Sequence, residues 1–424
     1  MMQVVHLSAI LAAVLLAARA GRVAARWLHQ PEVIGEMTAG LLAGPAALAL
    51  MGRTGFDAVL PQPVLGDLKV LGQAGLILFL VGLAHHLRTG SDHPGRRAVT
   101  WVTTGSLLLP LLCGVLLAVW VITQGGAEVR GDAPTASFVL MLAVSLSISA
   151  VPVMARIISA RGMQNSRVSG LTLTSAVLID GLGWLLLTLS VCLSAGSVDG
   201  FVRSLVALAF AGLCGLVIRV VMAGAPARRL CERSPRAAAA ALGLAAVAAA
   251  LAVEHLGMTA IVGAAAVGAS IPAGTDSPWA PAVASVSRVG KAVVPVFFVV
   301  TGINVFTKGF SSASWQLFAL ALVLGVTGKT LGGYLGARAG GEPVHRSRQV
   351  AVLMNTRGLT ELIILQVGLS AGVLTAPLAL ALVVMALVTT AMTGPLLRLL
   401  DRGAAAPGKP AAAPALLVDG RQRT

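Results

Sequence analysis

The sequence predicts an all-α polytopic membrane protein. Three observations carry that prediction. Of 424 residues, 57% are hydrophobic and 11% charged, against about 25% charged in an ordinary soluble domain. The apolar residues gather into thirteen runs, most of them near the roughly 20 residues that a span requires. Lys and Arg alternate between dense and sparse in the segments joining those runs. With a mean hydropathy of +0.89, too little polar surface is left to meet water, and a soluble multidomain enzyme is excluded.

In chain order the runs cover 4–25, 31–50, 67–87, 99–123, 135–159, 168–194, 201–222, 237–254, 257–273, 290–306, 315–337, 349–372 and 376–399. The first has no Lys or Arg before it and Arg19, Arg22 and Arg26 after it. It reads as a retained helix with its N-terminus outside, not as a cleaved leader. The second, ninth and tenth runs are short or hold Pro or Gly. From an N-out start, the cytoplasmic segments collect Arg19, Arg22 and Arg26; Arg88, Arg96 and Arg97; Arg156, Arg161 and Arg167. They go on to collect Arg219, Arg228, Arg229, Arg233 and Arg236; Arg288 and Lys291; Arg338, Arg346 and Arg348; and Arg398, Arg402, Lys409, Arg421 and Arg423. The outer segments hold Arg53, Lys69, Arg130, Arg203 and Lys308. That bias is the positive-inside pattern, N-out and C-in. The net charge of +15 therefore expresses topology and not a nucleic-acid surface.

Residues 1–400 read as one membrane transporter domain. The Ala/Pro-rich stretch 401–424 reads as a disordered cytoplasmic tail. The 48 Gly suit close helix contacts in lipid. Cys113, Cys192, Cys214 and Cys231 show neither disulfide nor metal spacing. No HExxH signature is present, and neither an enzyme nor a cofactor is expected. His85 and His86 close the third run as interfacial residues.

Ionisable groups inside a span cost roughly 2.5–3.5 kcal/mol each, which makes the few present informative. Asp180 sits mid-span in SAVLIDGLGWLLL, too short to snorkel and without a charge partner on its helix. Lys329 sits in VLGVTGKTLGGYLG and has a stem long enough to snorkel. Arg357 and Glu361, in NTRGLTEL, are spaced i, i+4 and share a helix face on which they can neutralise each other. Glu36, in PEVIGEMTAGLLAGP, reads as a structural residue near the interface.

Two runs carry helix-breaking chemistry. The fifth, SLSISAVPVMARII, contains Ser145, Ser147, Ser149 and Pro152; the twelfth contains Asn355, Thr356 and Gly358. Irregular backbone at membrane depth is tolerated only inside protein or along a wet cavity. The two runs lie seven apart and so run in opposite directions. That is the pattern of inverted repeats whose two broken helices cross near the midplane. A carboxylate on the neighbouring sixth run binds a cation or a proton but not both, and alternating access then yields exchange of one for the other.

At these residues the chain resembles the monovalent cation:proton antiporters, in the branch holding bacterial sodium/proton and potassium/proton antiporters and plant cation/proton exchangers. QPEVIGEMTAGLLAGP, SISAVPVMARII, GKTLGGYLGAR and NTRGLTELIIL occur collinearly as that branch's second-span signature, first broken helix, Lys-bearing helix and second broken helix. The high Ala, Gly and Arg usage points to a bacterial plasma membrane, and the resemblance implies Na⁺ or K⁺ exchanged for H⁺. It also implies a homodimer, with a mobile core around 135–194 and 315–399 and a dimerisation part built from the remaining helices. Asp180 matches the carboxylate that takes the transported cation and the proton. Lys329 matches the basic partner of the site, which Arg357 and Glu361 join as partner charges. Ser147, Ser149, Pro152, Asn355 and Thr356 lie on the broken helices that frame it.

Many relatives carry two acidic residues, or Asn-Asp, where this chain has Ile179-Asp180. The resemblance thus implies that Lys329 lacks its usual partner, with Glu361 or Asp180 as the substitutes. Two other readings stay open on sequence grounds: a sodium-coupled organic solute symporter, and a non-transporting membrane sensor or accessory protein. Ile179→Asp is expected to change the charge moved per cycle; unchanged electrogenicity in proteoliposomes would count against this reading of Ile179.

Overall fold

The computed structural model describes residues 2–28, 30, 32–89, 95–197, 199–272, 277–306 and 315–404. Within them every regular element is an α-helix: α1 (Met2–Trp27), α2 (Glu32–Val59), α3 (Gln62–Thr89), α4 (Arg96–Gln124), α5 (Gly126–Arg130), α6 (Thr135–Ser147), α7 (Val151–Ala160), α8 (Arg167–Ala195) and α9 (Asp199–Ala223). There follow α10 (Ala225–Arg233), α11 (Pro235–His255), α12 (Ala260–Ser270), α13 (Ala280–Phe306), α14 (Trp315–Ala339), α15 (Val344–Met354), α16 (Leu359–Ser370) and α17 (Ala376–Ala404).

Among the described residues, ten segments are long and apolar enough to cross a membrane: α1, α3, α4, the α6–α7 pair, α8, α9, α11, α13, α14 and α17. The other three runs are built differently. α2 is kinked at Gly52 (φ 66°, ψ 175°). α12 is a helix of 11 residues, shorter than the 257–273 expected. The twelfth run is divided between α15 and α16. The tenth run begins earlier than expected, at Ala280, and keeps Pro295 inside one helix. α17 extends to Ala404, so the expected tail begins helically; its remainder, 405–424, lies outside the described residues.

The helices pack as two bundles. α3 lies along α13, which also meets α2; α1 lies on α2, and α11 and α12 complete the group against α3 and α13. In the second bundle α4 lies along α14 and against α6, α8 meets α4 and α6, and α15 to α17 close around α14. Contacts between the bundles are sparse, from α2 and α3 to α7, from α3 and α12 to α8, and from α13 to α16. α9 touches α8 in one bundle and α12 in the other. Residues 99–123, placed by sequence outside the 135–194 and 315–399 group, therefore pack with that group as α4.

Lipid offers no hydrophobic drive between helices, so close van der Waals contact has to hold them. The α4–α14 pair shows how. A Cβ at Gly332 would stand 2.3 Å from the Gly105 carbonyl oxygen, and one at Gly336 would stand 2.5 Å from that of Trp101. The two backbones touch, and only glycine permits it. Meanwhile α4 and α9 turn large aliphatic residues outward, including Leu108, Leu112, Leu116, Leu213, Leu216 and Val220. An exposed apolar stripe of this kind is what an acyl chain covers.

Gly332→Val is expected to force α4 and α14 apart and to destabilise the protein by about 1–3 kcal/mol, the usual cost of overpacking. Thermal denaturation of the detergent-solubilised protein measures it; an unchanged midpoint would mean that this contact is not a structural constraint.

Candidate functional site

The first break in the chain has an identifiable cause. A helix continued through 152 would need the amide of that residue to bond the Ile148 carbonyl. Proline has no N–H, and its ring clashes with that carbonyl. α6 accordingly ends at Ser147, Ile148 is extended (φ −71°, ψ 149°), and α7 restarts with Pro152 in its first turn, where a missing donor does no harm. Sequence places the disruption at Pro152; the irregular backbone lies just upstream, at Ile148–Ala150. The second break runs from Asn355 to Gly358, whose φ of 156° and ψ of −127° belong to a region that glycine alone enters readily. The two breaks meet: the Ala150 amide donates to the Thr356 carbonyl at 3.2 Å.

A helix ending inside the protein exposes its last carbonyls and the negative end of its dipole. At α6 these carbonyls are met by cations. Arg357 donates to the Ser145 carbonyl at 2.9 Å and to the Leu146 carbonyl at 2.5 Å. Lys329 Nζ donates to the Ser147 carbonyl, and at 2.7 Å to Ser149 Oγ. Its third partner is the Ser106 carbonyl of α4 at 3.1 Å. That carbonyl is available because Pro110, inside α4, cannot donate back to residue 106. The glycine contacts of α14 with α4 bring the ammonium close enough to reach it.

Lys329 is fully buried and does not snorkel. Neither Asp180 nor Glu361 accepts from it, so the expected substitution of a carboxylate partner does not occur. The fork of a guanidinium suits Arg357 to bridging carbonyls of successive residues. Arg357 and Glu361 do pair, at 3.3 Å, but Arg357 lies in the break and not on the helix of Glu361. The shared-helix-face argument gives the right pair for the wrong reason. Thr390 of α17 holds Arg357 in place: its hydroxyl accepts from the Arg357 amide at 3.1 Å and donates to the Arg357 carbonyl at 2.6 Å. Thr356 Oγ1 donates to Thr393 Oγ1 at 3.4 Å.

Asp180 lies near the middle of α8 and is fully buried. One turn on, Gly183 packs against the Ile148 side chain, which sets α8 on the first break. Neither carboxylate oxygen of Asp180 has a hydrogen-bond partner, and neither side-chain atom of Asn355 has one. Asn355 caps the end of α15, which packs on α8. Glu361 Oε2 is likewise unbonded. Buried oxygens are normally paired; the unpaired oxygens of Asp180, Asn355 and Glu361 are the candidates for holding a small cation or a proton.

Sequence reasoning did not single out Ser106, Thr390 or Thr393. A Pro inside the fourth run and three threonines in the last (Thr389, Thr390, Thr393) were the available signals. Glu36 is fully buried and paired with Arg156. His85 is buried, and the side chain of His86 lies outside the described residues.

A sodium/hydrogen exchanger transmembrane family model matches residues 4–400. The chain belongs to the sodium/hydrogen exchanger family. The exchanger is similar to the Na(+)/H(+) antiporter NhaS4 of Synechocystis, 28% identical over 385 residues that cover 87% of this chain and 90% of the relative. It is also similar to cation/H(+) antiporter 17 of Arabidopsis thaliana, 31% identical over 382 residues, 88% of this chain and 45% of the relative. The exchanger thus spans just under half the length of that plant protein. Among solved structures it shares a fold with the sodium proton antiporter MjNhaP1 of Methanocaldococcus jannaschii, with a TM-score of 0.66 at 15% identity over 95% of this chain and 99% of the other.

Arg357→Met is expected to strand Glu361 and the α6 carbonyls and to cost about 3–5 kcal/mol, as for other broken buried pairs. Adding Glu361→Gln should recover part of that loss. Detergent thermostability of the two single variants and the double variant checks it; strictly additive losses would show that the two residues do not act as a pair.

Proposed function

We propose that this exchanger carries a monovalent cation, Na⁺ or K⁺, across the membrane against H⁺ by alternating access. The observation that carries the reading is Asp180: a fully buried carboxylate with both oxygens unbonded, seated against the break between α6 and α7 in a chain of this family. Cation and proton compete for the same two oxygens, so one leaves when the other arrives. Ser147, Ser149, Pro152, Asn355 and Thr356 frame the site through the two breaks, and Asn355 supplies a further free oxygen. Lys329, Arg357 and Glu361 are the partner charges. Their part is to hold the α6 end compensated while Asp180 changes its occupant.

Counting the α6–α7 and α15–α16 pairs as single passes, and including α2 and α12, gives thirteen passes, N-out and C-in, in two inverted repeats. The bundle of α4, α6–α8 and α14–α17 is the moving core, and α1–α3 with α11–α13 is the scaffold through which two copies dimerise. The setting is a bacterial plasma membrane. The compositional bias and the charge asymmetry of the sequence support this arrangement, as does the sparse packing between the bundles. No observation favours a solute symporter or a sensor over exchange.

Ile179 is fully buried in an apolar cluster, and Lys329 is occupied by oxygens of α4 and of the first break. With a single free carboxylate, one cation replaces one proton and no net charge moves per cycle. In proteoliposomes, Na⁺, K⁺ or Li⁺ is expected to dissipate an imposed pH gradient, equally with or without a clamped membrane potential. Asp180→Asn should reduce the response to background. Wild-type exchange by folded Asp180→Asn protein would overturn the assignment of the site.

A further inference from the structure

Glu36 is a buried carboxylate that the exchange reaction does not use. It lies on α2 directly after Gly35, where α1 and α2 cross at backbone contact: a Cβ at Gly35 would stand 1.9 Å from the Gly21 carbonyl oxygen. That crossing packs α2 on α1 at backbone contact, so Glu36 is seated on a closely packed helix pair of the scaffold bundle. Its partner across the gap is Arg156 of the half-helix α7, whose Nη2 donates to Oε1 at 2.8 Å and to Oε2 at 3.1 Å. A second arginine, Arg22 of α1, places Nε 3.5 Å from Oε1. The two arginines sit on opposite sides of the bundle boundary: Arg22 belongs to the scaffold with Glu36, and Arg156 belongs to the core.

We infer that Glu36 and Arg156 form an ionic latch between the two bundles that holds the core in the position seen here, with Arg22 as the partner that keeps Glu36 compensated when the core leaves. The inference rests on the proposed exchange by core movement. α7 begins at the first break and carries no other ion pair to the scaffold among those described, so displacement of the core must separate Arg156 from Glu36. A carboxylate left alone in a buried position is strongly disfavoured. A barrier of that kind would lock the protein if Arg22 did not stay behind. Backbone contacts between the bundles are otherwise few, and a charge-assisted contact from one guanidinium nitrogen to both carboxylate oxygens adds a directional term to the balance between the two positions.

The test reads the core position directly and does not depend on transport. Spin labels at the exposed positions Leu178 of α8 and Leu244 of α11, in a cysteine-free background in nanodiscs, report the distance between the bundles. Glu36→Gln and Arg156→Gln are each expected to raise the ratio of displaced to observed core at least tenfold. The double variant should shift it no further than either one. Arg22→Gln has the opposite sign: it should leave the distance as in the wild type and slow exchange several-fold, because opening then strands Glu36. Should Glu36→Gln not fold, Arg156→Lys, which keeps the charge on a shorter side chain, is expected to give a smaller shift in the same direction. Wild-type distance distributions in both Arg156 variants, or a faster exchanger on Arg22→Gln, would overturn the latch. Loss of the exchange reading itself shows elsewhere, as wild-type exchange in Asp180→Asn, so the two failures are told apart.

Discussion

The neutralisation of one helix end inside the protein is the constraint from which the rest of the structure follows. α6 stops at Ser147 with its last carbonyls facing the interior, where donors have to come from the protein itself. Two buried cations take them, Arg357 at Ser145 and Leu146, and Lys329 at Ser147. Each cation needs its own support. Lys329 depends on α14 lying close enough to α4 for its ammonium to reach a carbonyl that Pro110 has released. Arg357 depends on Glu361 and on the clasp of Thr390. Four helices outside the broken pair are thus committed to holding one helix end.

That commitment explains where the free chemistry lies. Around the α6 end the Ser145, Leu146 and Ser147 carbonyls each have a donor. On the side facing α8 and α15 the balance reverses, and the oxygens of Asp180 and Asn355 are left unbonded. The Lys329 ammonium and the terminal nitrogens of Arg357 are taken up, chiefly by backbone carbonyls, whereas the Asp180 oxygens are left over. On the exchange proposed above, a cation entering there meets these oxygens, and the cost of burying an ionised carboxylate favours the arrival of a cation or a proton.

The glycines connect packing with chemistry. At the α4–α14 contact they permit backbone approach, and approach sets the reach of Lys329. At the α1–α2 crossing they anchor Glu36 on a rigid pair of helices, so the ionic contact to α7 meets an unyielding support. Close packing within each bundle and thin packing between them is the arrangement in which one bundle can move as a body while its internal contacts persist.

Much of this was written in the sequence. Hydrophobic runs, the asymmetry of Lys and Arg, and the Ser/Pro and Asn/Gly interruptions announce a polytopic membrane protein with two broken helices. They do so because insertion into a bilayer penalises every residue individually, and such penalties are local. Asp180, Lys329, Arg357 and Glu361 stood out for the same reason. What each one touches was not legible. The pairing of Lys329 with three oxygens and no carboxylate, the position of Arg357 within the break, the membership of α4 in the second bundle and the reach of Glu36 to Arg156 all join residues more than a hundred positions apart or depend on backbone turned by tertiary contact. Cost per residue is a property of sequence; the compensation of that cost is a property of which helix ends and side chains the fold brings within hydrogen-bonding distance.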